Sequence, residues 1–195
     1  MLEPKTFASI AGVEALSANT MAQHHKLYRG YVEKYNELAE KLLTLHARGR
    51  LALDPDTESL KVDVTFALGA VKNHELYFDI LGGEAHEPTG ELKAAIESSF
   101  HSVTRFMIDL KQTAIMARSW AWTAYDHTEK KLFNFQGDTH NGLPVWGATP
   151  IIAVDLYGHA YYYDFGNNKV AYIDTILANL NWARIAERFA AARAQ

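Results

Sequence analysis

The chain of 195 residues contains no cysteine. That excludes disulfides, thiolate zinc sites and a cysteine nucleophile, and it leaves His, Asp, Glu and Tyr to hold any metal, which would be of borderline or hard character. Proline is scarce, and none falls between Ser17 and Arg48, so nothing there breaks a long helix. No apolar run approaches the roughly 20 residues of a membrane span. The start, MLEPKTFASIAGVEAL, lacks a basic stretch followed by a long apolar one. The expectation is a cytoplasmic protein without a membrane partner. Positive charge is also wanting: the net charge is -4, and no Lys/Arg block interleaved with aromatics appears, which argues against nucleic acid as a partner.

With 48% hydrophobic and 22% charged residues, the chain has the composition of a globular protein large enough for one sizeable core or two small ones. From Ser17 to about Arg48, Leu27, Tyr31, Tyr35, Leu38, Leu42 and Leu45 recur at helical spacing. Gly49 and LALDPDTES read as a loop, and a second helix runs from roughly Leu60 to Leu81, stopped by Gly82-Gly83. EAHEPTGE is a turn with Thr89 as N-cap, and ELKAAIESSFHSVTRFMIDLKQTAIMAR is one or two further helices. After Ser119 the character changes. WAWTAYD, KLFNFQ and TPIIAVD are short, aromatic and β-branched, and KVAYIDTILANLNWARIAERFAAARA returns to helical periodicity. The expected class is α+β: an N-terminal antiparallel helical hairpin over residues 1–84, then an α/β domain over 85–195 whose three-stranded antiparallel sheet is flanked by helices.

The stretch from Pro150 to Tyr163, PIIAVDLYGHAYYY, carries the chemistry. Asp155 follows four apolar residues, and a carboxylate there needs a cation, a donor or a metal, since an unpaired buried charge costs several kcal/mol. His159 comes four residues later. If the strand ends near Asp155 and the chain turns helical, one oxygen and one ring nitrogen can face a common centre. A turn-capping Asp beside an unrelated His is the alternative, and the crowding tyrosines 157, 161, 162 and 163 are either hydroxyls that orient ligands or plain packing. Among nine histidines, His74 lies mid-helix between apolar residues, as a ligand or as a core His satisfied by a carbonyl. His24 and His25 open the helix face that carries Tyr28 and Tyr31, as a ligand segment or as a solvated pair. His46, His86, His101 and His127 read as surface residues.

Together these stretches resemble the iron/manganese superoxide dismutases, from about Ser17 to the C-terminus. DLYGHAYYYDFGNNKVAYIDTILANLNW is similar to that family's Asp-x-Trp-Glu-His-Ala-Tyr-Tyr-x-Asp-Tyr segment and downstream Asn-Trp. KNHELYFDILGGE resembles its Asn-His-x-x-Tyr-Trp helix and Gly-Gly-Glu turn, SWAWT its Ser-Gly-Trp-x-Trp-Leu strand, and SANTMAQHHKLYRGYVEKYN its first ligand helix. The resemblance implies superoxide as substrate and one iron or manganese ion per chain, held by His24, His74, Asp155 and His159. It makes Tyr31 the gateway of the entry funnel and His140 the donor toward metal-bound solvent, because Ala70 cannot serve. Tyr28, Trp120, Tyr157 and Tyr162 would surround the pocket. Three departures stand out. The segment between the HisHis pair and Tyr31 is one residue short, which leaves His24 or His25 as the first ligand. Tyr157 replaces a Trp. Gly158 replaces the Glu that crosses the dimer interface, so a weaker or different homodimer, or a monomer, is expected. The alternatives are a catalytically silent scaffold of the same fold and another metalloenzyme, although no His-Glu-x-x-His supports a hydrolase.

Overall fold

The computed structural model describes residues 1–47, 55–83, 87–142 and 145–195. A 3-10 turn at Ala8–Ala11 precedes α1 (Ala18–Ala47), which pairs with α2 (Pro55–Asp79). Ring contacts between His24 and Phe78 at one end and Tyr31 and Phe66 further along run in opposite chain directions, so the two helices are antiparallel. Ser17 caps α1 by accepting from the Thr20 N–H at 3.1 Å, and its own N–H donates to the Asp164 carboxylate at 2.8 Å. The fully buried stripe of α1 is Met21, His24, Tyr28, Val32, Leu38 and Leu42, while Leu27 and Tyr35 are only half-buried. The hairpin therefore turns a face with two polar rings inward.

The second helix starts earlier than the sequence pattern suggests, at Pro55 rather than Leu60. Proline lacks an N–H, but the first helical turn needs none, and its fixed φ suits that position. The helix also ends at Asp79 instead of Leu81, and Leu81 bridges Leu180. The rest of the expected loop (48–54), part of the expected turn (84–86), His86 and the His46 side chain lie outside the described residues. Thr89 occupies the N-cap of α3 (Gly90–Phe100) without a side-chain capping bond. His101, in the left-handed region at φ 70°, and Ser102, capping Arg105, divide α3 from α4 (Val103–Met116), so the long helical stretch is two helices.

The sheet has β1 (Trp120–Asp126) in the middle, with β2 (Lys131–Gly137) and β3 (Ala148–Asp155) antiparallel on either side. Trp120 faces Gly137 on one side and Asp155 on the other. Pro150 is tolerated because β3 is an edge strand and the β1–β3 register shifts beside it. One sheet face sends Trp120 and Trp122 toward α2; from the other, Tyr125 meets Phe189 of α7 (Trp182–Arg193). A second 3-10 turn (Gly158–Ala160), α5 (Tyr162–Phe165) and α6 (Lys169–Ala178) complete the chain, with Asn168 and Asn181 capping α6 and α7. No described helix is long and apolar enough to cross a membrane.

Candidate metal centre

Four elements converge where β3 ends. His24 from α1, His74 from α2, Asp155 as the last residue of β3 and His159 in the 3-10 turn offer donor atoms that all lie within 4.8 Å of one another. Oδ2 of Asp155 is the hub. It lies 3.0 Å from Nε2 of His24, 3.4 Å from Nε2 of His74 and 3.1 Å from Nε2 of His159. Donors about 2.1 Å from a single ion and about 90–110° apart are separated by about 3.0–3.4 Å, so this spacing is that of a coordination shell. Oδ1 accepts from the Tyr157 N–H at 2.9 Å, and the Asp155 carbonyl accepts from the Tyr172 hydroxyl at 2.6 Å, which fixes the carboxylate from behind.

Protonation provides a fit test. His74 Nδ1 lies 2.7 Å from the carbonyl of Ala70, which can only accept, so Nδ1 carries the proton. Burial pushes His74 down to about 3, so the ring is neutral and Nε2 is a bare lone pair. That lone pair points at a carboxylate oxygen and has no hydrogen-bond partner. Two acceptors buried face to face repel unless a cation lies between them. Burial lowers His24 as well. In the metal-free protein burial alone would raise Asp155, but hydrogen bonds from His159 and His24, which a bound ion would replace, outweigh it and hold the group well below the ordinary carboxylate range. Ring nitrogens, an ionised oxygen and no sulfur suit iron or manganese.

His25 is not part of the cluster. It is half-buried, and its Nε2 bonds the Lys5 carbonyl at 2.9 Å, so the geometry favours His24 as the first donor. The missing residue in α1 is absorbed because Tyr31, seven positions after His24, still lies on the same helix face. Its hydroxyl reaches Nε2 of His140 at 3.1 Å. The indole N–H of Trp120 donates to His140 Nδ1 at 3.0 Å. His140 is thereby fixed with its proton on Nε2, donating to Tyr31, and burial holds it neutral, at about 4. The Tyr157 ring lies 4.7 Å from His140 and stacks on His159 at 5.3 Å, while the buried Tyr28 ring is 6.5 Å from His74. Tyr162 corrects an expectation. It is 61% exposed and forms no wall; the neighbouring Tyr161 turns inward and stacks on Tyr172.

Several residues escaped the sequence reading. Asn73 donates to the His140 carbonyl at 2.9 Å and accepts from Trp122 at 3.1 Å, anchoring the β2–β3 loop to α2. Gly69 makes that approach physically available, since a Cβ there would sit 2.4 Å from the same carbonyl oxygen. Phe66 packs on His140 at 4.9 Å, and Tyr77 and Tyr172, both fully buried, share a hydroxyl contact behind Asp155. Asn73, next to His74 in the quoted helix motif, was the one signal available for these.

A hairpin and a sheet-bearing half closing together on three imidazoles and one carboxylate define a protein with a candidate mononuclear metal centre. The family model of the iron/manganese superoxide dismutases, C-terminal domain, matches residues 88–188. The chain is 36% identical over 194 residues to an iron superoxide dismutase of Aquifex pyrophilus, covering 96% of this chain and 91% of that protein. It is 35% identical to an iron superoxide dismutase of Aquifex aeolicus, with the same coverage, and 33% identical over 182 residues to a manganese superoxide dismutase of Thermus thermophilus, covering 89% and 88%. The chain belongs to the iron/manganese superoxide dismutase family.

Proposed function

We propose that the chain disproportionates superoxide to oxygen and hydrogen peroxide, with one iron or manganese ion per chain held by His24, His74, Asp155 and His159. What carries this reading is the bare Nε2 of His74 aimed at Oδ2 of Asp155, an arrangement that calls for a cation between them. Relatives named for iron and for manganese support either metal. All four donors being present disfavours a silent scaffold.

A bound ion supplies a one-electron couple, by which one superoxide is oxidised to oxygen and a second is reduced and leaves, with two protons, as hydrogen peroxide. The chain supplies the rest. Its donor set carries a single negative charge, so the loaded centre stays positive and draws an anion. The Nε2–H of His140 donates to Tyr31 Oη, which leaves the Tyr31 O–H free to donate to an incoming anion. Burial, then Tyr157 and Asp155, raise Tyr31 and keep its hydroxyl protonated, so it can hold a proton at Oη beside the reduced anion. Trp120, Tyr157 and Tyr28 exclude water, and the two halves, residues 1–84 and 85–195, close the site between them. With Gly158 at the position of the interface Glu, the reading is a weaker or differently placed homodimer, or a monomer.

The test is metal analysis of the purified protein paired with activity after reconstitution with iron and with manganese separately. Activity with at least one metal is expected. Stoichiometric redox-active metal in a preparation inert toward superoxide would overturn the reading.

A further inference from the structure

Lys5 lies outside every helix, yet all three of its polar groups engage the hairpin. Its N–H donates to Tyr28 Oη at 2.9 Å, its carbonyl accepts from His25 Nε2 at 2.9 Å, and its ammonium donates to Glu75 Oε2 at 2.7 Å. Tyr28 donates in turn to Glu75 Oε1 at 3.3 Å, closing a circuit across both helices. His25 adjoins His24, Glu75 adjoins His74, and Tyr28 is one turn beyond His24. One residue therefore grips the neighbours of both helical donors. The strap around it is fastened on either side: the Asn36 amide pairs with the Leu2 N–H and carbonyl at 2.8 and 2.9 Å, and Phe7 stacks on Phe78 at 5.6 Å.

Glu75 is only 8% exposed, so its carboxylate needs a counter-charge. Lys72 approaches it at 3.6 Å but sits on the same helix, so that pair ties α2 to nothing else. Lys5 brings its charge from outside the helix while its main chain holds α1.

We propose that Lys5 is a positioning residue for the metal centre. Its ammonium on Glu75 and its main chain on Tyr28 and His25 fix the spacing of α1 and α2, and with it the approach of the His24 and His74 rings, whose centroids are 5.1 Å apart. The assignment rests on the metal-centre reading and deepens it. Lys72 still supplies Glu75 with a counter-charge when Lys5 is removed, and an ion pair whose lysine side chain is 60% exposed adds little to global stability, so the distinct effect of Lys5 belongs to donor geometry.

Wild type, K5M and K5R are loaded with manganese; release to a chelator and the electron paramagnetic resonance spectrum of the bound ion are followed, beside thermal unfolding of the metal-free proteins. K5M is expected to release metal about ten-fold faster, with an altered spectrum and an unmoved metal-free Tm, and K5R to restore both. E75Q should match K5M, and the double variant should be no leakier than either. Unchanged release and spectrum in K5M overturn the assignment. So does faster release matched by a lower metal-free Tm, or a K5R variant as leaky as K5M. Failure of the wild type itself to retain iron or manganese removes the metal-centre reading, and this assignment with it.

Discussion

The indole N–H of Trp120 donates to Nδ1 of His140 at 3.0 Å, and because an indole can only donate, this bond decides which nitrogen of His140 carries the proton. W120F keeps an aromatic ring but frees Nδ1. The variant should retain its metal and lose activity by roughly ten-fold, as outer contacts that orient a site generally do. Metal content and steady-state rates check this; an unchanged rate would detach the indole from the His140–Tyr31 pair.

His140→Ala should likewise retain metal, with an altered potential and turnover, whereas His74→Ala and Asp155→Ala should purify without it. Elemental analysis and redox titration separate the two outcomes. Unchanged turnover in the first variant would remove His140 from the mechanism.

Acid should destabilise the metal-free protein. Burial lowers His74 from 6.5 to about 3 and His140 to about 4, so the folded rings resist protonation that the unfolded chain accepts. Their contribution is complete above about pH 6.5 and is lost as pH falls toward about 4 and then 3. Denaturant midpoints of metal-free protein should hold from pH 7.5 to about 6.5 and fall from there to pH 4. A flat profile would contradict neutral burial.

Gly69→Ala places a Cβ 2.4 Å from the His140 carbonyl oxygen, which is backbone and cannot swing aside. A loss of about 1–3 kcal/mol in unfolding free energy is expected, along with reduced activity as His140 moves. Wild-type stability and rate in this variant would show the loop to be more yielding than its packing implies.

Sedimentation should find a weak dimer, a dimer on another face, or a monomer. A Cβ at Gly158 would meet nothing within 4 Å, so the backbone there stands open beside His159 with no carboxylate to reach across. A tight dimer whose axis passes beside His159 would refute this.

Much of the architecture was legible because its signals are local. A proline-free stretch gave α1, β-branched and aromatic runs gave the strands, and an Asp closing an apolar strand gave Asp155. The start of α2 was misplaced because the polar, proline-bearing LALDPDTES reads as a loop, whereas Pro55 opens the helix. The four candidate donors were named from motif and resemblance, but the tautomers that make a cation necessary depend on Ala70 and Trp120, and no spacing rule reports on those. Tyr162 was misjudged for a similar reason. In a run of three tyrosines, a 3-10 turn rather than a regular helix decides which one faces inward, and that was Tyr161.

Because the hub oxygen sits at the far end of β3, a ribosome delivers His24 and His74 long before the carboxylate and the last imidazole. A nascent hairpin then offers only half of the donor set. On the proposed donor set, metal capture would wait until the polypeptide is nearly finished, and a chain cut short before Asp155 would be unable to sequester a redox-active ion in an incomplete cage.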